Sequence, residues 1–456
     1  MTTVGIPRSP STLPPGPGRR FPGQNLAAFT RDRLGFFTRL AREHGDIARI
    51  RIGPQQLVLL SHPDHIRDVL ITFNRNFVKG RGVERSKRLL GNGLLTSEGE
   101  FHLRQRRLAQ PAFHRERISA YGDVMARYAA RAADSWRDGQ TLNIPTVSAQ
   151  LTLAIAAKTL FDTNLEDEAR EIGEALGTVI GLFNIALLPF SEVMDRLPLP
   201  WTLRFNRARA RLDETIYRLI ARRHESGEDH GDLLSMLMMA RDTEQDGGRM
   251  SDEQLRDEAM TLLLAGHETT AVALAWSWYL LAQNPDVEAT MLAEVDAVLG
   301  TRLPTAADVA RLPYTRMVLA ESMRLYPPAW ALTYRALDDQ PMGGYVIPRN
   351  SVVIMSQYLV HRDPRFYDDP ERFDPERWTP EAQARRPRFA YFPFGGGPRQ
   401  CIGEAFAWME GVLVLATVAQ RVRLERADGR EVKPNPLFTL RPKGEMAMVV
   451  RTRGPR

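Results

Sequence analysis

The sequence predicts a mainly α-helical fold with a small β portion, organised as one large domain. Apolar residues recur at i, i+3 and i+4 through residues 116–137, 147–161, 166–182 and 203–223, which is the helical period. No repeat or long low-complexity segment interrupts the chain. We therefore expect a Pro/Gly-rich lead-in over residues 1–23, followed by a single domain over residues 24–456.

The β portion is predicted from short runs of β-forming residues. Residues 46–52 and 55–61 flank Gly53-Pro54, which is typical of a hairpin. Later runs cover residues 331–336, 345–354 and 446–451. These runs are too few and too short for a β-rich fold, so we expect small sheets beside a helical core.

The strongest predicted helix begins after Ser251. Ser251 and Gln254 match the capping-box pattern, and no proline follows until Pro285. The helix would contain about 32 residues and measure roughly 48 Å, enough to cross the whole molecule. Asn284 and Pro285 are typical of the cap and first position of the next helix.

Composition favours an ordinary globular protein. The chain is 43% hydrophobic and 25% charged, and we find no uninterrupted apolar stretch of the length that spans a bilayer. The N-terminus has no apolar signal-peptide region, so we expect neither secretion nor a membrane anchor. The net charge of +6 raises the possibility of nucleic-acid binding. The arginines are spread along the chain without a nucleic-acid motif, so we expect no nucleic-acid partner.

Cys401 is the only cysteine in the chain, so it forms neither an internal disulfide nor a multi-thiolate metal site. It lies in a glycine-rich loop before a strongly helical run, residues 404–421. A helix N-terminus stabilises a thiolate. Arg399 supplies a permanent cation for a carboxylate. The alternative is a buried structural cysteine, which is the usual role of a lone cysteine.

The loop around Cys401 resembles the haem-binding loop of the cytochrome P450 superfamily, the haem-thiolate monooxygenases. The family pattern is Phe-x-x-Gly-x-Arg-x-Cys-x-Gly, and its fixed positions are matched here by Phe394, Gly397, Arg399, Cys401 and Gly403. The resemblance implies the cytochrome P450 fold, in which a long central helix crosses over haem.

The same resemblance implies that Cys401 is the axial ligand of a non-covalently bound haem b. It implies that Arg399 pairs with a haem propionate, and that Phe394, Gly395 and Gly403 border the cofactor. A thiolate ligand pushes electron density onto iron and favours O–O cleavage.

A second motif lies in the long helix. Gly266 costs about 1 kcal/mol relative to alanine in a helix interior, and Glu268 and Thr269 interrupt an apolar stretch. The alternative is a solvent-facing polar stripe. The run resembles the family's Ala/Gly-Gly-x-Asp/Glu-Thr-Thr/Ser element, which implies that Ala265 borders haem. It also implies that Thr269 hydrogen-bonds the activated oxygen, to which Glu268 relays protons.

Glu321 and Arg324 lie at i, i+3 on one helix face. The family couples such a Glu-x-x-Arg pair with a later arginine in a buried network. The resemblance favours Arg377 as that arginine, whereas Arg372 remains a rival because it also fits the short motif. Trp378 stands where the family usually has phenylalanine.

Further roles come from the resemblance. His102 and Arg106, at helical i, i+4 spacing, and Arg335 would contact haem propionates, although each fits a solvated basic side chain as well. The substrate cavity would be lined by apolar side chains that are equally compatible with ordinary core. They are Phe183, Leu264, Trp330, Leu332 and Phe438.

The resemblance implies a cytoplasmic monooxygenase of soluble bacterial type that inserts one atom of O₂ into a hydrophobic small molecule. NAD(P)H would supply electrons indirectly, through a separate ferredoxin or flavodoxin with its reductase. The basic net charge suits an acidic electron-transfer partner. The alternatives are a peroxide-driven hydroxylase and a non-catalytic haem sensor or carrier; the intact Glu268-Thr269 pair argues against both.

Overall fold

The structure is a computed structural model that describes residues 12–18, 23–162, 166–186, 197–242 and 248–454. The chain folds into two compact units. Of these described residues, the first unit comprises those within 12–84, 331–370 and 386–400, and the second comprises those within 85–330, 371–385 and 401–454. Because both units are built from separate stretches of chain, no single linker divides the sequence. The expectation of one domain over residues 24–456 stays a prediction.

The described residues form short strands and longer helices, as the sequence predicts. The strands are β1 (Ile47–Ile52), β2 (Gln55–Leu60), β3 (Phe77–Lys79), β4 (Thr141–Asn143), β5 (Leu332–Ala336), β6 (Gln340–Met342), β7 (Tyr345–Ile347), β8 (Val352–Met355), β9 (Val422–Arg426), β10 (Pro434–Pro436), β11 (Leu440–Pro442) and β12 (Ala447–Thr452).

The helices carry most of the described chain, which confirms the mainly α-helical class. They are α1 (Gln24–Arg31), α2 (Arg33–His44), α3 (Pro63–Arg67), α4 (Arg81–Leu90), α5 (Gly99–Ala109), α6 (Arg115–Asp134), α7 (Ile144–Phe161), α8 (Glu166–Ala186), α9 (Pro200–Ser226), α10 (Leu233–Met239), α11 (Asp252–Leu281), α12 (Pro285–Leu299), α13 (Pro313–Leu325), α14 (Gln357–Val360), α15 (Pro380–Ala384) and α16 (Glu404–Arg421).

The first unit is built around a five-stranded sheet of order β1-β2-β8-β5-β3. The predicted hairpin is present, since β1 and β2 pair antiparallel with Ile47 opposite Leu60 and Gly53 adopts a positive φ of 59° at the turn. The β-like run over residues 345–354 is not one strand. It divides into β7 and β8, because Asn350 turns the chain with a φ of 64°.

The second unit has α11 at its core. The predicted capping box is present: Ser251 Oγ accepts from Gln254 N at 3.2 Å, and Gln254 Oε1 accepts from Ser251 N at 2.9 Å. The helix ends at Leu281 after 30 residues, close to the expected length. Pro285 then begins α12 with Asn284 at its cap, as predicted.

Two small sheets complete the second unit. One has the order β4-β12-β9, and the other is the β10–β11 hairpin. Helix α7 packs on α11, where Thr152 Oγ1 donates to the His267 carbonyl at 3.0 Å.

Among the described residues, α7 is the one helix that is long and apolar enough to cross a membrane by length and composition. Its sequence is not an uninterrupted apolar stretch, because it contains polar residues such as Gln150 and Lys158. Of the 18 residues of α7, 56% are buried inside the protein. A buried core helix meets the same criteria, so this helix alone is weak support for a membrane span.

Candidate functional site

Cys401 lies just before α16, whose N-cap is Gly403. The residue is exposed. A Cβ added at Gly403 would lie 3.8 Å from the Phe113 ring and 4.0 Å from Cys401 Sγ, so the sulfur and this ring border the same glycine. Burial lowers the pKa of the Arg106 guanidinium, and the charge of a Cys401 thiolate opposes that shift. The thiol and Arg106 are therefore close enough to interact electrostatically.

Helix α5 brings His102 and Arg106 onto one face, one turn apart. His102 is buried, and its Nδ1 lies 3.4 Å from Ser97 Oγ. Arg106 is partly exposed. The structure thus places these two of the four predicted propionate ligands in the same unit as Cys401.

The middle of α11 has one face that is less buried than the rest. From Leu255 to Leu281 the helix is buried except at Ala265, Gly266 and Thr269. A Cβ added at Gly266 would meet no atom within 4 Å. Small side chains on this face leave room for a flat ligand to approach the helix backbone. The Thr269 hydroxyl donates to the Ala265 carbonyl at 2.8 Å, on the same face.

Glu268, although adjacent in sequence, points elsewhere. Its side chain is 2% exposed and its carboxylate contacts the β10–β11 hairpin. Oε1 accepts from Thr439 Oγ1 at 2.6 Å and from Arg441 Nε at 2.5 Å, and Oε2 accepts from Arg441 Nη2 at 2.5 Å. Nothing in the sequence signals these partners, because they lie 171 and 173 residues away.

In the first unit, Gly395 has a φ of 71°, and a Cβ added there would lie 3.5 Å from the partly buried Leu332. Phe394 precedes Gly395 and Arg399 follows it in the same unit. Arg335 Nη2 donates to Glu84 Oε1 at 3.2 Å, and both side chains are partly exposed. Partly exposed pairs of this kind contribute little to stability, so this contact is easily exchanged for another anion.

Glu321 and Arg324 form a fully buried ion pair, each with a side chain 0% exposed. Arg324 Nε and Nη2 each donate to the Glu321 carboxylate at 2.8 Å. Arg377 Nε lies 3.4 Å from Glu321 Oε1. Arg372 contributes only its carbonyl, which accepts from Arg324 Nη2 at 3.0 Å. Of the two rival arginines, Arg377 is therefore the one whose guanidinium approaches Glu321, in addition to the guanidinium of Arg324.

Trp378 makes a hydrogen bond for which phenylalanine, the family's usual residue at this position, has no donor. Its Nε1 donates to Glu321 Oε2 at 2.9 Å, and Asp374 N donates to Glu321 Oε1 at 3.0 Å. Glu321 thus contacts polar groups of α13 and of residues 374–378. A carboxylate tolerates burial only when it is paired in this way.

The predicted pocket residues of the second unit that the structure describes lie on α11 and at or beside the turn between β10 and β11. Leu264 is buried on α11. Trp330 Nε1 donates to the Leu437 carbonyl at 2.9 Å, which fixes the ring against the turn that carries Phe438. Phe183 lies in α8, but its side chain is outside the described part of the chain.

Together, the mainly helical fold and the cysteine loop indicate a class of protein, namely one whose haem iron is bound by a thiolate. The sequence model of the family described as Cytochrome P450 matches residues 14–449. The chain belongs to the cytochrome P450 family, and it is an oxidoreductase of the monooxygenase type.

Named relatives agree. The chain is 42% identical to Cyclooctatin synthase of Streptomyces melanosporofaciens, over 87% of each chain. It is 39% identical to Cyclooctat-9-en-7-ol 5-monooxygenase of the same organism, over 93% of this chain and 92% of that one. It is 37% identical to Pentalenene oxygenase of Streptomyces avermitilis, over 87% of this chain and 88% of that one.

A solved structure agrees as well. The crystal structure of the cytochrome P450DA heme domain superposes with a TM-score of 0.87 at 28% identity, covering 97% of this chain and 98% of that one. The cytochrome P450 fold is therefore confirmed, and membership of the family implies haem and O₂. The residues fit such a cofactor: a single thiol beside Arg106, and a small-residue face on α11.

Two buried glutamates of the second unit were not anticipated from the sequence. Burial raises the pKa of Glu258 on α11 to about 8, although the hydrogen bond that its carboxylate accepts from Leu94 N acts to lower that pKa. Burial raises the pKa of Glu410 on α16 to about 8, partly opposed by the nearby Thr270 hydroxyl. Both folded-state values lie above the ordinary value of 4.5.

We expect these two carboxyls to make the protein less stable as pH rises from about 4.5 to about 8. In that range the folded state holds protons that the unfolded state has released, so the free energy of unfolding falls by up to about 1.4 kcal/mol per pH unit for each group. Urea unfolding at pH 5, 6, 7 and 8 measures this slope. Glu410→Gln and Glu258→Gln should each flatten it, whereas Glu425→Gln, at an exposed position, should not. An unchanged slope in both buried variants would contradict the expectation.

Proposed function

We propose that the protein is a cytoplasmic monooxygenase that inserts one atom of O₂ into a terpenoid substrate. NAD(P)H would supply the electrons through a separate ferredoxin or flavodoxin with its reductase. The observation that carries the proposal is the open face formed by Ala265, Gly266 and Thr269 on α11, in the unit that also holds Cys401.

Each predicted haem contact keeps its proposed role. Cys401 Sγ would bind the iron, and His102 and Arg106, one turn apart on α5, would bind a propionate. Arg399 and Arg335 would bind propionates, the latter after leaving Glu84. Phe394, Gly395, Gly403 and Ala265 would border the ring. Haem ligated by a thiolate supplies the chemistry that activates O₂.

Thr269 and Glu268 would take part in delivering protons to the bound oxygen. The Thr269 hydroxyl lies on the open face of α11, where it can donate to an oxygen bound there and accept a proton in return. Glu268 is a titratable group adjacent in sequence, and a relay needs such a group linked to the reacting atom through a hydroxyl or water. Arg441, in contact with Glu268 and one-third exposed, connects this buried carboxylate to the surface.

The apolar residues predicted to line the pocket and the relatives both support this substrate class. The predicted pocket residues Leu264, Trp330, Leu332 and Phe438 are hydrophobic, which suits an apolar ligand. The three relatives described above bear names of terpene-oxidising enzymes, at 37% identity or more. A cyclic terpene hydrocarbon or alcohol of similar kind is the substrate that we propose.

A spectroscopic screen tests this function. Pentalenene and cyclooctat-9-en-7-ol, with matched fatty acids and steroids, would be titrated into the haem-loaded protein. A substrate that displaces the water on iron moves the Soret band to shorter wavelength, and we expect the terpenoids to do so at the lowest concentrations. The terpenoid that binds should then yield product carrying one atom of isotopically labelled O₂ when ferredoxin, reductase and NADPH are added. A shift with fatty acids alone, or turnover with peroxide alone, would contradict the proposal.

A further inference from the structure

The carboxylate of Glu268 is held by the β10–β11 hairpin and not by its own helix. Arg441 approaches it with two nitrogens and Thr439 with its hydroxyl, at 2.5 to 2.6 Å. An ionised carboxylate has about four acceptor positions, so these bonds occupy most of them. The position of Glu268 is therefore set by residues of another element.

The hairpin that holds Glu268 is itself fastened at two further points. Trp276 Nε1 of α11 donates to the Leu440 carbonyl at 2.7 Å. Trp330 Nε1 donates to the Leu437 carbonyl at 2.9 Å. Between these two indole contacts lie Phe438 and Thr439. One short turn thus carries an aromatic side chain predicted to line the pocket and a hydroxyl bound to the acid.

We propose that Arg441 and Thr439 are positioning residues, which set the location of Glu268 and link it to substrate contact at Phe438. The inference rests on the proposed proton-relay role of Glu268. A substrate that displaces the Phe438 ring moves the adjacent Thr439, and Thr439 is hydrogen-bonded to the carboxylate. Proton delivery then depends on whether the pocket is filled.

The geometry favours this role over a purely structural one. Arg441 is one-third exposed and Glu268 is 2% exposed, so the pair runs from the protein surface to a buried acid. A fork of two nitrogens fixes the orientation of a carboxylate as well as its distance, which a lysine cannot do. A proton relay requires such orientation, because a misplacement of about 1 Å can cost about 10²-fold in rate.

The first test needs no turnover. Hydrogen exchange of residues 434–442 would be measured in haem-loaded wild type, Arg441→Leu, Arg441→Lys and Glu268→Gln. We expect exchange to accelerate about tenfold or more in Arg441→Leu and in Glu268→Gln, since each loses charged hydrogen bonds, and less in Arg441→Lys. Unchanged exchange in both would overturn the proposal.

The second test measures coupling, the product formed per NADPH consumed, with the terpenoid found in the screen. We expect coupling to fall about tenfold in Arg441→Leu, since a displaced relay group costs up to about 10²-fold. It should fall less in Thr439→Val, which is less disruptive, and partly recover in Arg441→Lys. Substrate affinity, read from the Soret shift, should change little in Arg441→Leu. A loss of affinity with unchanged coupling would overturn the positioning role.

A matched control exists in the same unit. Arg423 of β9 pairs with Glu288 of α12, whose side chain is 7% exposed, and Arg423 is 45% exposed. Arg423→Leu therefore removes a similar ion pair that is not part of the site. It should leave coupling at the wild-type level. If Arg423→Leu lost as much coupling as Arg441→Leu, both losses would reflect general destabilisation, and the proposal would be overturned.

The outcomes separate this inference from the function on which it rests. If Glu268→Gln keeps full coupling, the relay role itself is wrong. If Glu268→Gln loses coupling while Arg441→Leu and Thr439→Val keep it, Glu268 is the relay and the positioning role alone is wrong.

Discussion

Glu321→Ala and Arg324→Ala are each expected to give protein that does not retain haem. Both side chains are 0% exposed, and each variant leaves the other charge buried without its main partner. Loss of one member of a buried pair costs about 3–5 kcal/mol, a large share of the stability of a domain. The network joins α13 to residues 372–378, so its loss should loosen the second unit, which carries Cys401.

The measurement is the CO difference spectrum of the reduced protein, which reports thiolate-bound haem iron per mole of chain. Arg451→Ala is the control, because Arg451 pairs with Glu425 at the surface and both side chains are about half exposed. Trp378→Phe removes one hydrogen bond to Glu321 and should lower haem content less than Glu321→Ala does. Normal haem content in both alanine variants would show that the network is dispensable.

Thr269→Ala is expected to retain haem and to lose most coupled product formation. General acid–base groups contribute about 10²–10⁴-fold to rates, so we expect a fall of about 10²-fold in product formed at equal NADPH consumption. The electrons from NADPH should instead reduce O₂ to hydrogen peroxide or to water without forming product. Thr269→Ser, which keeps the hydroxyl, should retain most of the activity.

Ser277→Ala is the matched control for Thr269→Ala. Ser277 lies on the same helix, is buried, and donates to the carbonyl four residues earlier at 2.8 Å, as Thr269 does. The control therefore removes the same kind of bond outside the site. Coupling that is unchanged in Thr269→Ala, or equally low in Ser277→Ala, would refute the assigned role.

The local features of the fold were predictable because their determinants are adjacent in sequence. The capping box of α11 needs only Ser251 and Gln254, and the first hairpin needs only Gly53 between two β-rich runs. The division of residues 345–354 was not predicted, since it depends on a left-handed Asn350, a conformation that asparagine tolerates without requiring.

The residues of the site were predictable where they belong to a short sequence motif. Short spacing predicted Glu321 with Arg324, but two arginines matched the downstream motif, and only three-dimensional contacts distinguish the Arg377 guanidinium from the Arg372 carbonyl. The Glu268 contact with Arg441 spans 173 residues and has no local pattern. Burial of Glu258 and Glu410 likewise depends on packing between distant segments.

The chain has a single thiol, and it is the one proposed to carry the metal. A maleimide or other sulfhydryl reagent can therefore label one position only. Because iron ligation would shield that sulfur, the labelled fraction of a preparation counts the molecules that lack the cofactor. Titration with such a reagent would give the loading of any variant without reference to an absorption coefficient.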